Sequence, residues 1–310
     1  MLKSPPRRDP AEAGQVQHDT GKNMNIVFFG SSKFVIPIIE VLQKNFDLSL
    51  VLTTERLTFQ DEALEAPVIN YCVKHKILYL SVSNLSDPIL NSQFSILNSE
   101  VAVLADFGLI IPKEILDMFP KGIINIHPSL LPKYRGPTPV QTAILNGEKT
   151  TGISIIKLDN EVDHGPILFQ TKAGILPNDT SESLYEKLFQ LGAGSIVQTI
   201  ELYLKGKIKP QEQDHKKATF TLHLARLDGY VDLNKPPSRA KLEKMIKAYF
   251  PWPGVWTRLR LGSGGQAKLK IVKFLPENKL QVEGKKPMSH KDFKNGYPTL
   301  KQIHVLLDHL

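Results

Sequence analysis

The chain is poor in cysteine: Cys72 stands alone among 310 residues. It therefore has no internal disulfide and no thiolate metal cluster, which fits a reducing compartment, and we expect the cytoplasm. Long hydrophobic runs are missing too. The most apolar stretch, Val101 to Pro112, is short and holds Asp106, whereas a membrane helix needs about 20 apolar residues; no membrane association is expected. The glycines of a dinucleotide fold are also lacking, because after the first strand-like run Gly30 is followed by Ser31, Ser32, Lys33 and Phe34. Tight approach to a pyrophosphate needs further glycines there, so NAD is not expected. A phosphate-cradling Gly-x-x-x-x-Gly-Lys-Ser/Thr run is absent, and no paired histidine or cysteine spacing suggests zinc; no metal is expected.

What remains is an ordinary globular composition, 41% hydrophobic and 23% charged, at a length that suits two domains. The net charge of +8 is unevenly spread. Residues 1–206 carry 18 Lys+Arg against 22 Asp+Glu, a net of −4, while residues 207–310 carry 21 against 9, a net of +12. A basic segment of that kind either attracts a polyanion through counterion release or is a solvated surface.

Residues 1–23, with Pro5, Pro6, Arg7, Arg8 and Pro10, hold no apolar core for a signal peptide and read as a disordered leader; Met24 immediately precedes the first strand. From Asn25 short apolar runs alternate with helical patterns, which is the rhythm of an α/β, doubly wound, mainly parallel sheet. Strands are predicted near 26–29, 48–52, 77–80, 101–105, 123–127, 153–158 and 167–171. Helices are predicted at 34–44, 68–74 and 182–204. This domain spans 24–206. Lys205 to Thr219 is polar and aperiodic and reads as a linker, placed at 207–220. In the remainder, 221–310, an amphipathic helix at 239–249 precedes strands at 255–261, 267–274 and 279–282, and a small basic β-barrel carrying a helix is the economical expectation.

The stretch Asn125-Ile126-His127-Pro128-Ser129-Leu130-Leu131-Pro132 is the most unusual in the chain. Alternation along a strand points Asn125 and His127 to one face and Ile126 to the other. Pro128 cannot donate to a ladder, so the strand should end there. That leaves both polar groups at the carboxyl end of a parallel strand, where open α/β sheets bind ligands. The polar run Asp159, Asn160, Glu161, Val162, Asp163, His164 forms a loop between two strands that could return a carboxylate to His127. By spacing alone, a strand-end histidine satisfied by a backbone carbonyl is the commoner case.

The run from Asn125 to Gly136, followed by Asp163 and Gly165, resembles the signature of the folate-dependent formyltransferases, and Met24 to Pro37 and Ala105 to Pro112 resemble two further segments of that family. The resemblance implies a formyltransferase-type fold and 10-formyltetrahydrofolate as one-carbon donor. It implies that Asn125, His127 and Asp163 form the catalytic trio. The pterin would sit beside Phe107, Gly108, Leu109, Ile110 and Ile111, with Ser129, Leu130, Leu131, Pro132 and Asp159 around it. In the second domain, Pro251 to Thr257, Glu283 to Met288 and Asp228 to Asp232 resemble the carboxyl-terminal domain of the methionyl-tRNA formyltransferases. This implies initiator methionyl-tRNA as acceptor, bound by residues 221–310, and a role in translation initiation; a monomer is expected.

The family usually has a longer, glycine-containing basic loop after the second strand that enters the acceptor stem. Here Thr53 to Leu64 is short, lacks glycine and sets Arg56 against Glu55, Asp61 and Glu62. Lys133 and Arg135 beside the catalytic strand, and Lys285 and Lys286 in the second domain, are the alternative phosphate contacts. In such a reaction Asn125 would donate to the oxyanion. His127 would accept a proton or polarise the formyl oxygen, and Asp163 would orient the imidazole. His164 is expected to be a solvated loop residue, and Cys72 to be packing. Trp252 and Trp256 are either core or platforms for bases. The rivals are a formyltransferase acting on a sugar-nucleotide amine and an RNA-binding protein on a dead scaffold.

Overall fold

The computed structural model describes residues 24–54, 66–86, 97–261 and 268–308. The expected leader, and residues 55–65 of the loop after the second strand with Arg56 among them, lie outside these.

The larger domain is built on a seven-stranded sheet. Its strands are β1 (Asn25–Phe29), β2 (Asp47–Thr54), β3 (Tyr79–Val82), β4 (Val101–Leu104), β5 (Gly122–His127), β6 (Thr150–Lys157) and β7 (Ile167–Gly174). They run in the order β3-β2-β1-β4-β5-β6-β7, parallel from β3 to β5, with β5–β6 and β6–β7 antiparallel. Helices α1 (Ile36–Asn45), α2 (Pro67–His75), α3 (Lys113–Leu116), α4 (Pro139–Asn146) and α5 (Ser181–Leu204) accompany it. β1 reads as a continuous apolar run because both faces are covered, Ile26 to Phe29 being buried on each side; β5 is likewise buried throughout, Asn125 and His127 included. Phe29 sits edge-on between Phe107 and Phe119, with ring centroids at 5.3 and 6.3 Å. Truncating such a residue typically costs ~3–5 kcal/mol.

Local chemistry sets several boundaries. α4 opens on Pro139 and stops at Gly147, whose φ of 72° suits a residue without a side chain. α5 is held at its start by a capping box between Thr180 and Ser183. Strand order reverses on either side of β1 and β4, and their carboxyl ends are tied together: Ser31 N donates to Asp106 O and Ser31 Oγ to Phe107 O. That crevice is where open sheets of this kind bind ligands. It adjoins the end of β5.

The smaller domain holds the antiparallel strands β8 (Val255–Leu261), β9 (Lys268–Leu275), β10 (Lys279–Val282) and β11 (Met288–Ser289) in the order β11-β10-β9-β8. Helices α6 (Arg239–Ala248), α7 (His290–Gly296) and α8 (Lys301–Asp308) accompany them. β8 alternates strictly from Thr257 onward, with Thr257, Leu259 and Leu261 inside and Arg258 and Arg260 outside, as expected of a sheet with one open face. The two domains are packed together. α6 lies on α4, Ser181 Oγ donates to Phe250 O, and one hydrophobic cluster includes Ile26, Val140, Leu242 and Leu307.

The segment expected as a linker is a strap. Gln211 and Ile167 exchange both backbone hydrogen bonds, and Arg135 N donates to Thr219 O while Thr221 N donates to Arg135 O. A polar, aperiodic segment can still be fixed when its backbone pairs with its neighbours, and here these are the start of β7 and the loop following β5. Among the described residues, no helix is long and apolar enough to cross a membrane.

Candidate active site

β5 delivers Asn125 and His127 to one face, and the loop between β6 and β7 brings Asp163 to meet them. Asn125 Nδ2 donates to Asp163 Oδ1 at 3.1 Å. His127 Nδ1 lies 3.4 Å from Asp163 Oδ2, and Gly136 N donates to that same oxygen at 2.8 Å. All three side chains are largely removed from solvent. The three residues that the sequence singles out are therefore joined, across 38 positions of chain, by one carboxylate.

His127 Nε2 lies 2.9 Å from Tyr134 O. A carbonyl only accepts, so Nε2 carries the proton in either state of the ring, and Nδ1 is the nitrogen at which a second proton is gained or lost. The commonplace carbonyl partner and the carboxylate partner are thus both present, one on each nitrogen. Asn125 Nδ2 bears two hydrogens; Asp163 takes one, which leaves the second for a developing oxyanion.

Asp163 adopts φ of 49°, an uncommon conformation for a residue with a side chain, and its neighbours permit the loop to fold so tightly. A Cβ on Gly165 would collide with the carbonyl of Lys157, and Gly136 has φ of 104° beside Thr221. His164 is partly buried, its side chain 26% exposed, and not free in solvent as expected. It stacks on His215 of the strap with centroids 4.0 Å apart, and its Nδ1 is 2.6 Å from Asp159 Oδ2. These contacts follow because the loop turns inward to deliver Asp163.

Arg135 requires correction as a phosphate contact. It is 3% exposed, and its guanidinium is bound by Gln213 Oε1 through Nε and Nη2, with Nη2 also 2.9 Å from His215 Nδ1. A buried guanidinium needs such partners, so this cation faces the protein. Lys133 is exposed, 3.4 Å from Glu148 Oε1. Lys285 and Lys286 are exposed, with Lys285 Nζ 5.3 Å from the centre of the Tyr297 ring. Trp256 is core, donating Nε1–H to Arg226 O, whereas Trp252 is exposed. The outer face near Trp256 carries the guanidinium groups of Arg226 and Arg258, each 5.6 Å from its ring, and Arg260 follows on the same side of β8. Strict alternation in Thr257 to Leu261 was the signal that could have found Arg258 and Arg260.

The residues expected around a folate divide into three groups. Phe107, Ser129 and Leu131 are buried, Ser129 Oγ donating to Lys133 O and Leu131 N to Ser154 Oγ. Asp159 is used within its own loop, accepting from Glu161 N and facing His164. Gly108, Leu109, Ile110, Ile111, Leu130 and Pro132 reach the surface, Ile110 at 81% exposure, and Val162 in the loop between β6 and β7 is 53% exposed. Large apolar side chains held out in this way suit the flat, weakly polar faces of a pterin, so the residues fit that group. Ser154 and Gln170, which hold the backbone of Leu131, are supports that sequence reasoning missed; a serine inside the apolar run Ile153 to Ile156 was the visible sign.

Cavities elsewhere do not compete for the chemistry. One of about 880 Å³ lies between Leu145 and the Pro236–Lys244 region, and one of about 630 Å³ lies beside Thr180, Lys247 and His290. Neither is lined by the trio. Among the described residues, no group of three or more His, Cys, Asp or Glu could hold a metal ion. Cys72 is buried in α2 and its thiol is pushed up to about 11 by burial.

Comparison with known proteins gives a consistent picture. The formyl transferase family model matches residues 24–200. A methionyl-tRNA formyltransferase from Chloroflexus aurantiacus is 39% identical over 253 residues, covering 81% of this chain and 79% of the relative. One from Buchnera aphidicola is 36% identical over 235 residues, covering 75% and 74%. Among solved structures, a sugar N-formyltransferase from a Shewanella species superposes with a TM-score of 0.61 at 18% identity, covering 82% of this chain and 98% of that one. Glycinamide ribonucleotide transformylase 1 from Symbiobacterium toebii gives 0.52 at 21% identity, covering 64% and 100%.

Proposed function

The chain belongs to the formyl transferase family and, within it, to the methionyl-tRNA formyltransferases, and from this premise we propose that it transfers the formyl group of 10-formyltetrahydrofolate to the α-amino group of initiator methionyl-tRNA. One observation carries the chemistry: a single buried carboxylate, Asp163, touches both Asn125 and His127 at the carboxyl end of β5. The reading includes a cytoplasmic, monomeric enzyme acting in translation initiation.

Formyl transfer is attack of an amine on the formyl carbon, formation of a tetrahedral oxyanion, and departure of the folate N10. The second N–H of Asn125 meets the oxyanion, and a preorganised donor of that kind is worth ~10² to 10³ in rate. The attacking α-amine has a reference pKa near ~7.7 to 8, so roughly a tenth is already unprotonated at neutral pH and a weak base suffices. His127, protonated on Nε2 by its bond to Tyr134 O, takes the amine's proton at Nδ1 and passes it toward N10. Asp163 stabilises the imidazolium while that proton is in transit. The loops bearing Ile110 and Val162 hold the pterin.

The acceptor reading rests on the family membership and on the charge of residues 207–310, +12. Arg226, Arg258, Arg260, Lys285 and Lys286 present that charge to solvent and would meet tRNA phosphates, with Lys133 nearer the trio. The test is to offer labelled 10-formyltetrahydrofolate together with charged initiator tRNA, a sugar-nucleotide amine, or water alone. Label should pass to the methionyl-tRNA. Transfer to the sugar amine instead would replace the acceptor, and no transfer to any amine would overturn the reading.

A further inference from the structure

The hydrogen bonds around Asp163 close into a ring. Its carboxylate accepts from Gly136 N. The residue before Gly136 is Arg135, whose Nε and Nη2 donate to Gln213 Oε1. Gln213 Nε2 in turn donates to the backbone carbonyl of Asp163 at 2.9 Å and to that of Gly165 at 2.8 Å. The Arg135–Gly136 unit therefore holds the side chain of Asp163 directly and its main chain through one amide. The orientation of that amide is fixed, since a guanidinium only donates and a carbonyl only accepts. Gln213 is 5% exposed and belongs to the strap between the domains, not to the sheet.

On the formyl-transfer reading above, we propose that Gln213 is a positioning residue for the catalytic carboxylate, with Arg135 as its anchor. Asp163 sits at positive φ, a conformation that persists only when its surroundings hold it. The two carbonyls clasped by Gln213 flank the turn on either side of His164. Releasing them lets the carboxylate leave its place opposite His127 Nδ1 and Asn125 Nδ2 without removing any group that touches the reacting atoms. Because the strap leads into the second domain, the seating of that domain and the geometry of Asp163 are mechanically joined.

Two substitutions separate this role from plain stabilisation. Gln213→Ala removes both halves of the clasp. Gln213→Glu keeps, and strengthens, the acceptor for Arg135 but has no N–H for the carbonyls of Asp163 and Gly165. The full-length variants would be compared with the wild type in kcat, in KM for 10-formyltetrahydrofolate and methionyl-tRNA, and in thermal unfolding. Both should lose on the order of 10²-fold in kcat, the effect of misplacing a reacting group by about 1 Å, while both KM values hold and thermal unfolding shows both variants folded at the assay temperature. A Gln213→Glu enzyme with wild-type kcat would overturn the proposal, and so would a loss confined to KM. A wild-type protein that transfers no formyl group would overturn instead the reading on which it rests.

Discussion

Around β5 the polar groups are buried and bound to one another. Asn125, His127, Asp163, Gly136, Arg135 and Gln213 form one connected set, and removing a member leaves another without its partner. Across the second domain the charged groups stand separately on the surface, on the outer face of β8 and in the turn that holds Lys285 and Lys286. A buried network concentrates function, because a polar group stranded in a low-dielectric interior is costly. An exposed array distributes it, since each surface cation adds a modest and salt-screened share. Single substitutions should therefore act steeply in the first region and gently in the second.

Asp163→Asn strikes the network hardest. It removes the charge opposite His127 Nδ1, and formyl transfer should fall by ~10² to 10⁴, the usual worth of a positioned acid–base group. Wild-type kinetics in a stopped assay would remove Asp163 from the trio and, with it, one side of the contrast.

For the basic domain, affinity of the full-length protein for methionyl-tRNA should drop steeply with salt, by orders of magnitude between about 50 and 200 mM if several phosphates are neutralised. A binding titration with a flat salt profile would mean the exposed cations are a solvated surface. Replacing Lys285 and Lys286 one at a time should weaken tRNA binding only a few-fold each and lower the salt slope by about one per residue removed; a collapse of affinity from either would erase the distinction between the regions.

Glu148→Gln should have the smallest effect. Its carboxyl is held below the usual range, first by the hydrogen bond from the Tyr134 hydroxyl, while burial pushes the Tyr134 hydroxyl up. A depressed acid stabilises the fold above its unfolded pKa, near ~4.3 to 4.5, and that contribution is lost as pH falls through the lower, folded value. The variant should thus show a slightly lower Tm near neutrality and a flatter decline in acid, its curve meeting that of the wild type at low pH. A steeper acid decline would contradict the sign.

The sheet could be read from the chain because parallel strands covered on both faces announce themselves as apolar runs. Ile26 to Phe29 is of this kind, and β8 and β10 fall where predicted. The short helices α3, α4, α7 and α8 did not show: α4 has eight residues and starts at a proline that also looks like loop. The trio was visible because Asn125 and His127 share a strand face and because the residues around them resemble a known signature. Gln213 was not visible, since its partners lie 48 to 78 positions away and no spacing within a polar segment points to them. Arg135 was misjudged for the same reason: charge is written in the sequence, but the tertiary partner that buries it is not. The apolar loops about the proposed pterin site were legible only as a group, and the structure separates the buried residues, such as Ser129, from the surface residues such as Ile110.

The central claim is that the carboxamide of Asn125 acts on the reacting carbonyl and not on the fold or the acceptor. It is tested most directly by measuring, on Asn125→Ala, single-turnover formyl transfer and tRNA affinity in the same buffer. The account predicts a rate lowered by ~10² to 10³ with affinity close to wild type; a variant that transfers at the wild-type rate, or loses rate and affinity in equal measure, would contradict it.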